Sequence, residues 1–117
     1  MTAIDAAGAV GNAVRALRPR FGERLLTPGS AGYPAARRVW NAAVDRAPAV
    51  IACCRDTAEV SAAVRAARTA GVPLSVRSGG HDWAGRALRE GGLVIDLTGM
   101  RGVRVDPAGR RACRSDR

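Results

Sequence analysis

The only histidine in the chain, His81, directly follows Gly79 and Gly80 in the stretch SVRSGGHDWAG, residues 75–85. Two consecutive residues without a Cβ can adopt positive φ, and the successive amides of such a turn point into a common concavity that binds anions. Arg77, just upstream, can add a charge-assisted contact to the same anion. The phosphates of a nucleotide would fit such a loop, with the imidazole of His81 at its tip.

Other glycine-loop and metal sites are excluded by the residues present. The chain contains no lysine, so it has no P-loop, and Gly79, Gly80 and Gly85 lack the spacing of the Gly-x-Gly-x-x-Gly fingerprint. One histidine without a cysteine or carboxylate at ligand spacing cannot complete a zinc shell. Spacing alone leaves open that residues 78–81 form a tight turn with His81 on the surface.

The elements around this loop predict where it lies. Apolar runs predict three short strands, at residues 49–54, 72–77 and 92–97, of which the first is a continuous apolar run suited to a buried strand. Between the first two, RDTAEVSAAVRAARTAG predicts a helix with Asp56 at its N-terminal cap and Gly71 at its C-terminal cap. Strand, helix and strand form a βαβ unit with parallel strands. Since ligands bind beyond the carboxyl ends of parallel strands, the SGGH loop leaves the sheet at a functional position.

The first third of the chain predicts helical structure. Helical spacing of apolar residues predicts an amphipathic helix over residues 4–17, which Pro19 ends. Turn formers predict a loop over residues 25–34. A short second helix is predicted over residues 35–45, with inward-facing Val39, Trp40 and Ala43.

The basic charge is a weak indicator of nucleic-acid binding here. The chain of 117 residues carries a formal net charge of +9, and every basic residue is an arginine. These arginines are dispersed, and the aromatic residues that would stack on bases are few. We therefore expect no specific nucleic-acid partner, although a non-catalytic basic chain that binds anions or nucleic acid non-specifically remains the alternative function.

The cysteines and the pattern of apolar residues indicate the cellular compartment of the protein. Cys53 and Cys54 are adjacent and Cys113 is alone, so no disulfide framework is expected, and a reducing compartment is favoured. The N-terminus lacks the layout of a signal peptide, and no long uncharged apolar run is present. We therefore predict a cytoplasmic protein without a membrane partner.

Two longer stretches carry a family resemblance. PLSVRSGGHDWAG, residues 73–85, followed by GGLVIDLTGMRGVRVDP, residues 91–107, resembles the flavin-binding segment of the p-cresol methylhydroxylase (PCMH) and vanillyl-alcohol oxidase superfamily, in its berberine bridge enzyme-like branch. The preceding stretch from residue 25 is also similar to bacterial members. The resemblance implies an α/β (α+β) fold: the N-terminal subdomain of a PCMH-type FAD-binding fold, with a βαβ unit and a small mixed sheet.

The resemblance also implies a cofactor and the residues that hold it. In that family the loop amides hold the FAD pyrophosphate, and the histidine is commonly bonded to the 8α-methyl of the isoalloxazine ring. Carried over residue by residue, His81 would be the attachment point. The remaining cofactor-binding positions would be Arg77, Ser78, Gly79, Gly80, Asp82 and Gly85.

A division of the chain follows from the same comparison of patterns. Residues 1–46 form a helical lead-in, residues 47–107 a partial PCMH-type FAD-binding subdomain, and residues 108–117 a tail that departs from the family pattern. We therefore expect an N-terminal piece of a flavin-dependent oxidoreductase that abstracts hydride from an alcohol-like or similar substrate. A small-molecule substrate is expected only in a full-length relative, and this chain alone is expected to be inactive.

Overall fold

Within the part of the chain described by the structure, the elements are one four-stranded sheet, three α-helices, one 3₁₀ turn and a separate hairpin. The computed structural model describes residues 3–38, 46–78, 88, 90–100 and 103–114. The helices are α1 (Ala3–Phe21), α2 (Tyr33–Ala36) and α3 (Thr57–Ala70), and a 3₁₀ turn (Gly22–Arg24) follows α1. The strands are β1 (Leu25–Leu26), β2 (Val50–Cys53), β3 (Leu74–Arg77), β4 (Leu93–Asp96), β5 (Val103–Asp106) and β6 (Arg111–Arg114).

The four-stranded sheet is mixed, with the order β1-β2-β4-β3. Strand β1 is antiparallel to β2, whereas β2 and β3 both run parallel to β4. The predicted βαβ unit, its parallel strands and the small mixed sheet are therefore confirmed. Strand β4 lies between β2 and β3, a position that the order of elements along the chain did not reveal.

Both faces of the central strands are buried. Along β2 the side chains alternate, as the period of a strand requires. Val50, Ala52 and Cys54 pack in the larger apolar cluster, which includes residues of α1 and α3, whereas Ile51 joins a smaller cluster. In the smaller cluster it packs with Tyr33, Leu88 and Val94. Burial on both faces explains why the strand sequences are continuous apolar runs rather than alternating ones.

Helix α3 has the caps that the sequence predicted. The Asp56 carboxylate Oδ1 accepts a hydrogen bond from the Glu59 amide at 2.8 Å. Gly71 ends the helix in the left-handed region, at φ 76°. Ala63 and Ala67 are buried against the sheet side of the core. The small side chains on this face bring α3 close to the strands and to α1.

Helix α1 extends further than predicted, because it continues through Pro19 to Phe21. The prediction that Pro19 ends the helix is therefore wrong. A proline removes one backbone hydrogen bond and crowds the preceding turn, which disfavours a helix interior. Here the last turn is retained because Leu17 and Phe21, one helical turn apart, are both buried in the larger cluster.

The segment between α1 and β2 is more ordered than a loop. Residues 25–34 contain β1 and the start of α2, so the predicted loop is wrong at both ends. The Tyr33 hydroxyl donates to the Pro48 carbonyl at 2.7 Å, which ties α2 to the chain just before β2. The helix predicted over residues 35–45 is instead the single turn Tyr33–Ala36 capped by Arg37, so the prediction is wrong for residues 37 and 38. Val39, Trp40 and Ala43 lie outside the described residues.

Strands β5 and β6 form an antiparallel hairpin that the sequence analysis did not predict. Its turn is held by the Asp106 carboxylate, which accepts a hydrogen bond from the Gly109 amide at 3.1 Å. The Val-Arg-Val-Asp alternation before an Asp-Pro turn was the signal available for it. Val105 is 62% exposed, so the hairpin presents apolar surface outside the main core.

Candidate functional site

The carboxyl ends of the three parallel strands meet at one edge of the sheet. Cys53 is in register with Asp96, and Asp96 is in register with Arg77. The main-chain ladder continues past the strand ends, since the Cys54 amide donates to the Asp96 carbonyl at 3.0 Å and the Leu97 amide to the Arg77 carbonyl at 2.8 Å. This edge is the position at which open parallel sheets bind ligands.

Arg77 is a largely buried cation at this edge, with a side chain that is 16% exposed. Its Nη1 lies 3.4 Å from Asp96 Oδ2 and donates to the Ala36 carbonyl at 3.3 Å. Its Nε is buried and has no acceptor among the residues that the structure describes. The guanidinium is thus held by two partners while one of its donors is left for another acceptor.

Asp96 was not selected as a site residue, yet its contacts organise the edge. Its side chain is 4% exposed. Oδ1 accepts from both the Thr98 amide at 2.9 Å and the Thr98 hydroxyl at 2.6 Å, while Oδ2 faces Arg77. A carboxylate ending the apolar run Leu-Val-Ile was the available sequence signal, because a buried charge needs a partner. Asp96 therefore holds both the turn after β4 and the cation at the end of β3.

The N-terminus of α3 lies at the same edge but is occupied by its own carboxylates. Asp56 accepts from the Glu59 amide, and the Glu59 side chain accepts from the Arg55 amide at 2.7 Å. Helix N-termini attract anions through free amides and the helix dipole. Here the Glu59 amide of the first turn is satisfied by Asp56, the Arg55 amide just before the cap is satisfied by Glu59, and both carboxylates stand beside the helix start. The start of α3 is therefore poorly suited to bind an anion.

A salt bridge joins α3 to the segment after α1. Arg24 donates from Nη1 to Glu59 Oε1 at 2.8 Å and from Nη2 to Glu59 Oε2 at 2.6 Å. The Glu59 side chain is 4% exposed. Hydrogen bonds from Arg24 lower the pKa of Glu59 from 4.5 to about 2, against the opposing effect of burial. Glu59 is therefore a carboxylate at neutral pH and not a proton donor.

The two thiols at the end of β2 are not activated. Burial is the main cause that raises the pKa of Cys53 to about 11 and that of Cys54 to about 12. A cysteine nucleophile needs the opposite shift. Both cysteines are free.

Only part of the predicted cofactor site lies in the described ranges. Arg77 ends β3, and Ser78 follows it with an exposed side chain. The other predicted cofactor-binding residues fall outside the described residues: Gly79, Gly80, His81, Asp82 and Gly85. The roles assigned to all of these residues stay predictions.

The described residues provide one kind of ligand chemistry at this edge. Across the described ranges, no group of three His, Cys, Asp or Glu side chains could hold a metal ion. The buried Arg77 guanidinium, with an unused Nε donor directly before a glycine-rich stretch, suits a dinucleotide pyrophosphate. These residues therefore fit FAD.

In the part of the chain that the structure describes, no helix is both long and apolar enough to cross a bilayer.

Comparison with known proteins supports this assignment from sequence. A family model described as FAD binding domain matches residues 48–114. The chain is 38% identical over 88 residues to (R)-6-hydroxynicotine oxidase of Paenarthrobacter nicotinovorans, covering 75% of this chain and 19% of that protein. It is 37% identical over 79 residues to glucooligosaccharide oxidase of Sarocladium strictum, covering 66% of this chain and 16% of that protein.

Solved structures agree with the observed fold. The chain matches 6-hydroxy-D-nicotine oxidase from Arthrobacter nicotinovorans with a TM-score of 0.70 at 38% identity, covering 75% of this chain and 19% of that one. It matches Physcomitrella patens BBE-like 1 with a TM-score of 0.75 at 30% identity, covering 85% and 22%. The chain thus spans only 16–22% of the length of these relatives. These matches confirm the predicted resemblance to the berberine bridge enzyme-like branch and the PCMH-type fold, and the chain belongs to the FAD-binding domain family, whose cofactor is FAD.

Proposed function

We propose that this chain forms the pyrophosphate-binding part of the flavin site in an oxidoreductase that takes hydride from an alcohol-like or similar carbon. The observation that carries the proposal is the position of Arg77, a buried cation with an unused donor at the carboxyl end of β3. Membership of the FAD-binding domain family supports it. Two relatives with oxidase names support the reaction class.

Each predicted residue has a distinct part in this proposal. Arg77 would place positive charge beside the pyrophosphate, and Asp96 would hold Arg77 in position. Ser78, Gly79 and Gly80 would offer amides and a hydroxyl, with Asp82 and Gly85 completing the loop. When bound, FAD supplies an isoalloxazine ring that accepts a hydride.

His81 would anchor the flavin covalently. Its neutral imidazole would supply a nitrogen lone pair, and the new nitrogen–carbon bond would replace a C–H bond of the 8α-methyl. The imidazole N–H proton and the proton of that C–H bond would both be released. Attachment would be a two-electron oxidation overall, with both electrons passing to an acceptor such as dioxygen. A permanently attached ring cannot dissociate between turnovers.

The test places this chain's sequence in a relative that has the rest of the fold. In (R)-6-hydroxynicotine oxidase, the matched segment of 88 residues is exchanged for the one from this chain. The purified chimera is denatured and run on a gel, and flavin fluorescence is recorded on the polypeptide band. We expect fluorescence in the chimera and in Arg65→Gln, an exposed position on α3. We expect none in His81→Ala.

Two results would contradict the proposal at different points. Fluorescence that persists in His81→Ala would remove His81 as the attachment residue. A folded chimera that holds no flavin at all, covalent or dissociable, would remove the pyrophosphate-binding role of the chain.

The free cysteines Cys53 and Cys54 fit a reducing compartment, so the proposal includes a cytoplasmic location.

A further inference from the structure

Arg24 connects three parts of the fold through one guanidinium. Nη1 donates to the Cys53 carbonyl at 2.9 Å as well as to Glu59, so the group joins the end of β2 to the first turn of α3. The guanidinium carbon lies 5.3 Å from the centre of the Phe21 ring, which supports it from the last turn of α1. The side chain is 27% exposed.

These contacts fix the connection between β2 and α3 from both sides. Arg24 holds the Cys53 carbonyl, while the carboxylate of its partner Glu59 accepts from the Arg55 amide at 2.7 Å. Between them, the Cys54 amide donates to the Asp96 carbonyl at 3.0 Å. Consecutive backbone groups over residues 53–55 are thus held in one geometry, and the ordering depends on Arg24 and Glu59.

A short series of contacts leads from this connection to Arg77. Cys54 bonds the backbone of Asp96, and the Asp96 side chain faces Arg77 across β4 and β3. Arg77 is the last residue before the predicted pyrophosphate loop. A displacement of residues 53–55 would therefore move Asp96 and change the partner that holds Arg77.

The contacts between Arg24 and Glu59 define a geometry more closely than stabilisation of the fold alone would require. Replacing both partners of a buried ion pair by well-packed apolar residues is often neutral or stabilising, because desolvation of the charges offsets their attraction. A bidentate arginine–carboxylate pair does impose a defined geometry. Arg24 also precedes residue 48, where the family match begins, so its link to the flavin site is visible only in the fold.

We propose that Arg24 is a positioning residue: by bonding the Cys53 carbonyl and Glu59 together, it sets the end of β2 and, through Asp96, the orientation of Arg77 toward the cofactor. This inference rests on the proposed flavin site. Arg24 does not touch the cofactor. Its effect is to keep the carboxyl edge of the sheet in the geometry that binds it.

The test uses the full chain and four variants: Arg24→Gln, Arg24→Lys, Glu59→Gln and the control Arg65→Gln. Arg65→Gln removes the same charge from an exposed position on α3. Amide hydrogen exchange is measured over residues 53–56 and, for comparison, over residues 63–67 inside α3. Binding of FAD is measured by quenching of its fluorescence, and bound flavin is examined by visible circular dichroism.

We expect Arg24→Gln and Glu59→Gln to accelerate exchange over residues 53–56 by about tenfold relative to residues 63–67. We expect both variants to weaken FAD binding about fivefold or more and to alter the dichroism of bound flavin. Lysine retains charge and donors but lacks the planar fork, so Arg24→Lys should recover part of both effects. Arg65→Gln should behave as the unmodified chain.

Equal acceleration of amide exchange over residues 53–56 and over residues 63–67 would show that Arg24 only stabilises the fold, and would overturn the proposal. Local acceleration with unchanged FAD affinity and dichroism would also overturn it, because the edge would then have no effect on the cofactor. If the unmodified chain alone binds no FAD, the FAD measurements are made on the same variants in the (R)-6-hydroxynicotine oxidase chimera, extended to include Arg24, and a folded chimera that also binds no FAD removes the proposed pyrophosphate site. In that case the proposal that depends on it falls as well, whereas the exchange data still report whether Arg24 orders residues 53–55.

Discussion

Arg77 and Asp96 end neighbouring parallel strands in register, with Arg77 Nη1 3.4 Å from Asp96 Oδ2. Both side chains are mostly buried, and the aspartate is the only acid among the described contacts of this arginine. The pair places a cation at the start of a glycine-rich segment and keeps it there. This nitrogen–oxygen distance is longer than the 2.6 Å between Arg24 Nη2 and Glu59 Oε2. The looser pairing leaves the Arg77 guanidinium freer to contact a further anion.

Removal of the Asp96 carboxylate should destabilise the chain. Asp96→Ala leaves the Arg77 cation without its carboxylate and frees the turn at Thr98, so we expect a loss of about 3 kcal/mol in the free energy of unfolding. Asp96→Asn keeps an acceptor for the Thr98 amide and should lose about half of that. Urea unfolding followed by circular dichroism measures both. The control Glu23→Gln, at an exposed position, should change stability by less than about 0.5 kcal/mol.

Local sequence signals were sufficient to predict the elements whose structure is decided by neighbouring residues. The caps Asp56 and Gly71 bound α3 as predicted, and the continuous apolar runs became buried strands. The position of Arg77 at the carboxyl end of a strand followed from the same signals. These features depend on residues a few positions apart, so periodicity and capping rules identify them.

Contacts between distant residues were not predictable in this way. Arg24 and Glu59 are 35 positions apart, and nothing in the sequence near either residue indicates its partner. The insertion of β4 between β2 and β3 also depends on pairing across the whole unit. The local rule that proline ends a helix fails at Pro19, because burial of Leu17 and Phe21 retains the last turn.

Two glycines should respond to alanine in opposite directions. Gly71 has φ +76°, which an alanine adopts only with strain, so Gly71→Ala should lower the free energy of unfolding by about 1 kcal/mol. Gly8 lies inside α1 with no atom within 4 Å of an added Cβ. Gly8→Ala should therefore raise stability by up to about 1 kcal/mol. Equal effects of the two substitutions in thermal unfolding would contradict the assigned helix boundaries.

Nucleic-acid binding should be weak despite the charge of +9. Arg24 and Arg55 are directed at Glu59, and Arg77 is directed at Asp96, so these cations are partly neutralised within the fold. We expect a dissociation constant above about 1 µM for duplex DNA at about 150 mM salt, with a steep salt dependence. Fluorescence anisotropy with two unrelated sequences checks this. Tighter binding to both sequences at that salt concentration would favour the alternative function, and a sequence-selective complex would contradict the expectation of no specific nucleic-acid partner.

The thiols of β2 should react slowly in the folded chain. With pKa values of about 11 and about 12, Cys53 and Cys54 are almost fully protonated at pH 8. An unperturbed cysteine has about a tenth to a quarter of its population as thiolate there, so Ellman's reagent should react at least about 100-fold more slowly with these two. The measurement is made in a Cys113→Ser background, before and after addition of urea. Rapid labelling without urea would show that the end of β2 opens readily.

Acid should remove the contribution of Glu59 to stability. Its pKa is lowered from 4.5 to about 2 by hydrogen bonds from Arg24, so the folded state binds its proton less readily than the unfolded state. The stabilisation is therefore complete above about pH 4.5 and is lost as the pH falls toward 2, with a total on the order of 3 kcal/mol. Other carboxylates also titrate in this range, so the informative quantity is the difference between the unmodified chain and Glu59→Gln.

That difference in the free energy of unfolding should be largest at pH 6 and should shrink steadily between pH 4.5 and pH 2.5, because protonated glutamic acid and glutamine are both neutral. Urea unfolding at several pH values measures it directly. Arg24→Gln supplies the matched test, since removal of the donor should return the pKa of Glu59 toward or above its usual value and flatten the same pH dependence. If Glu59→Gln destabilises the chain equally at pH 6 and pH 2.5, the loss comes from packing, and the charge on Glu59 does not hold the end of β2 to α3.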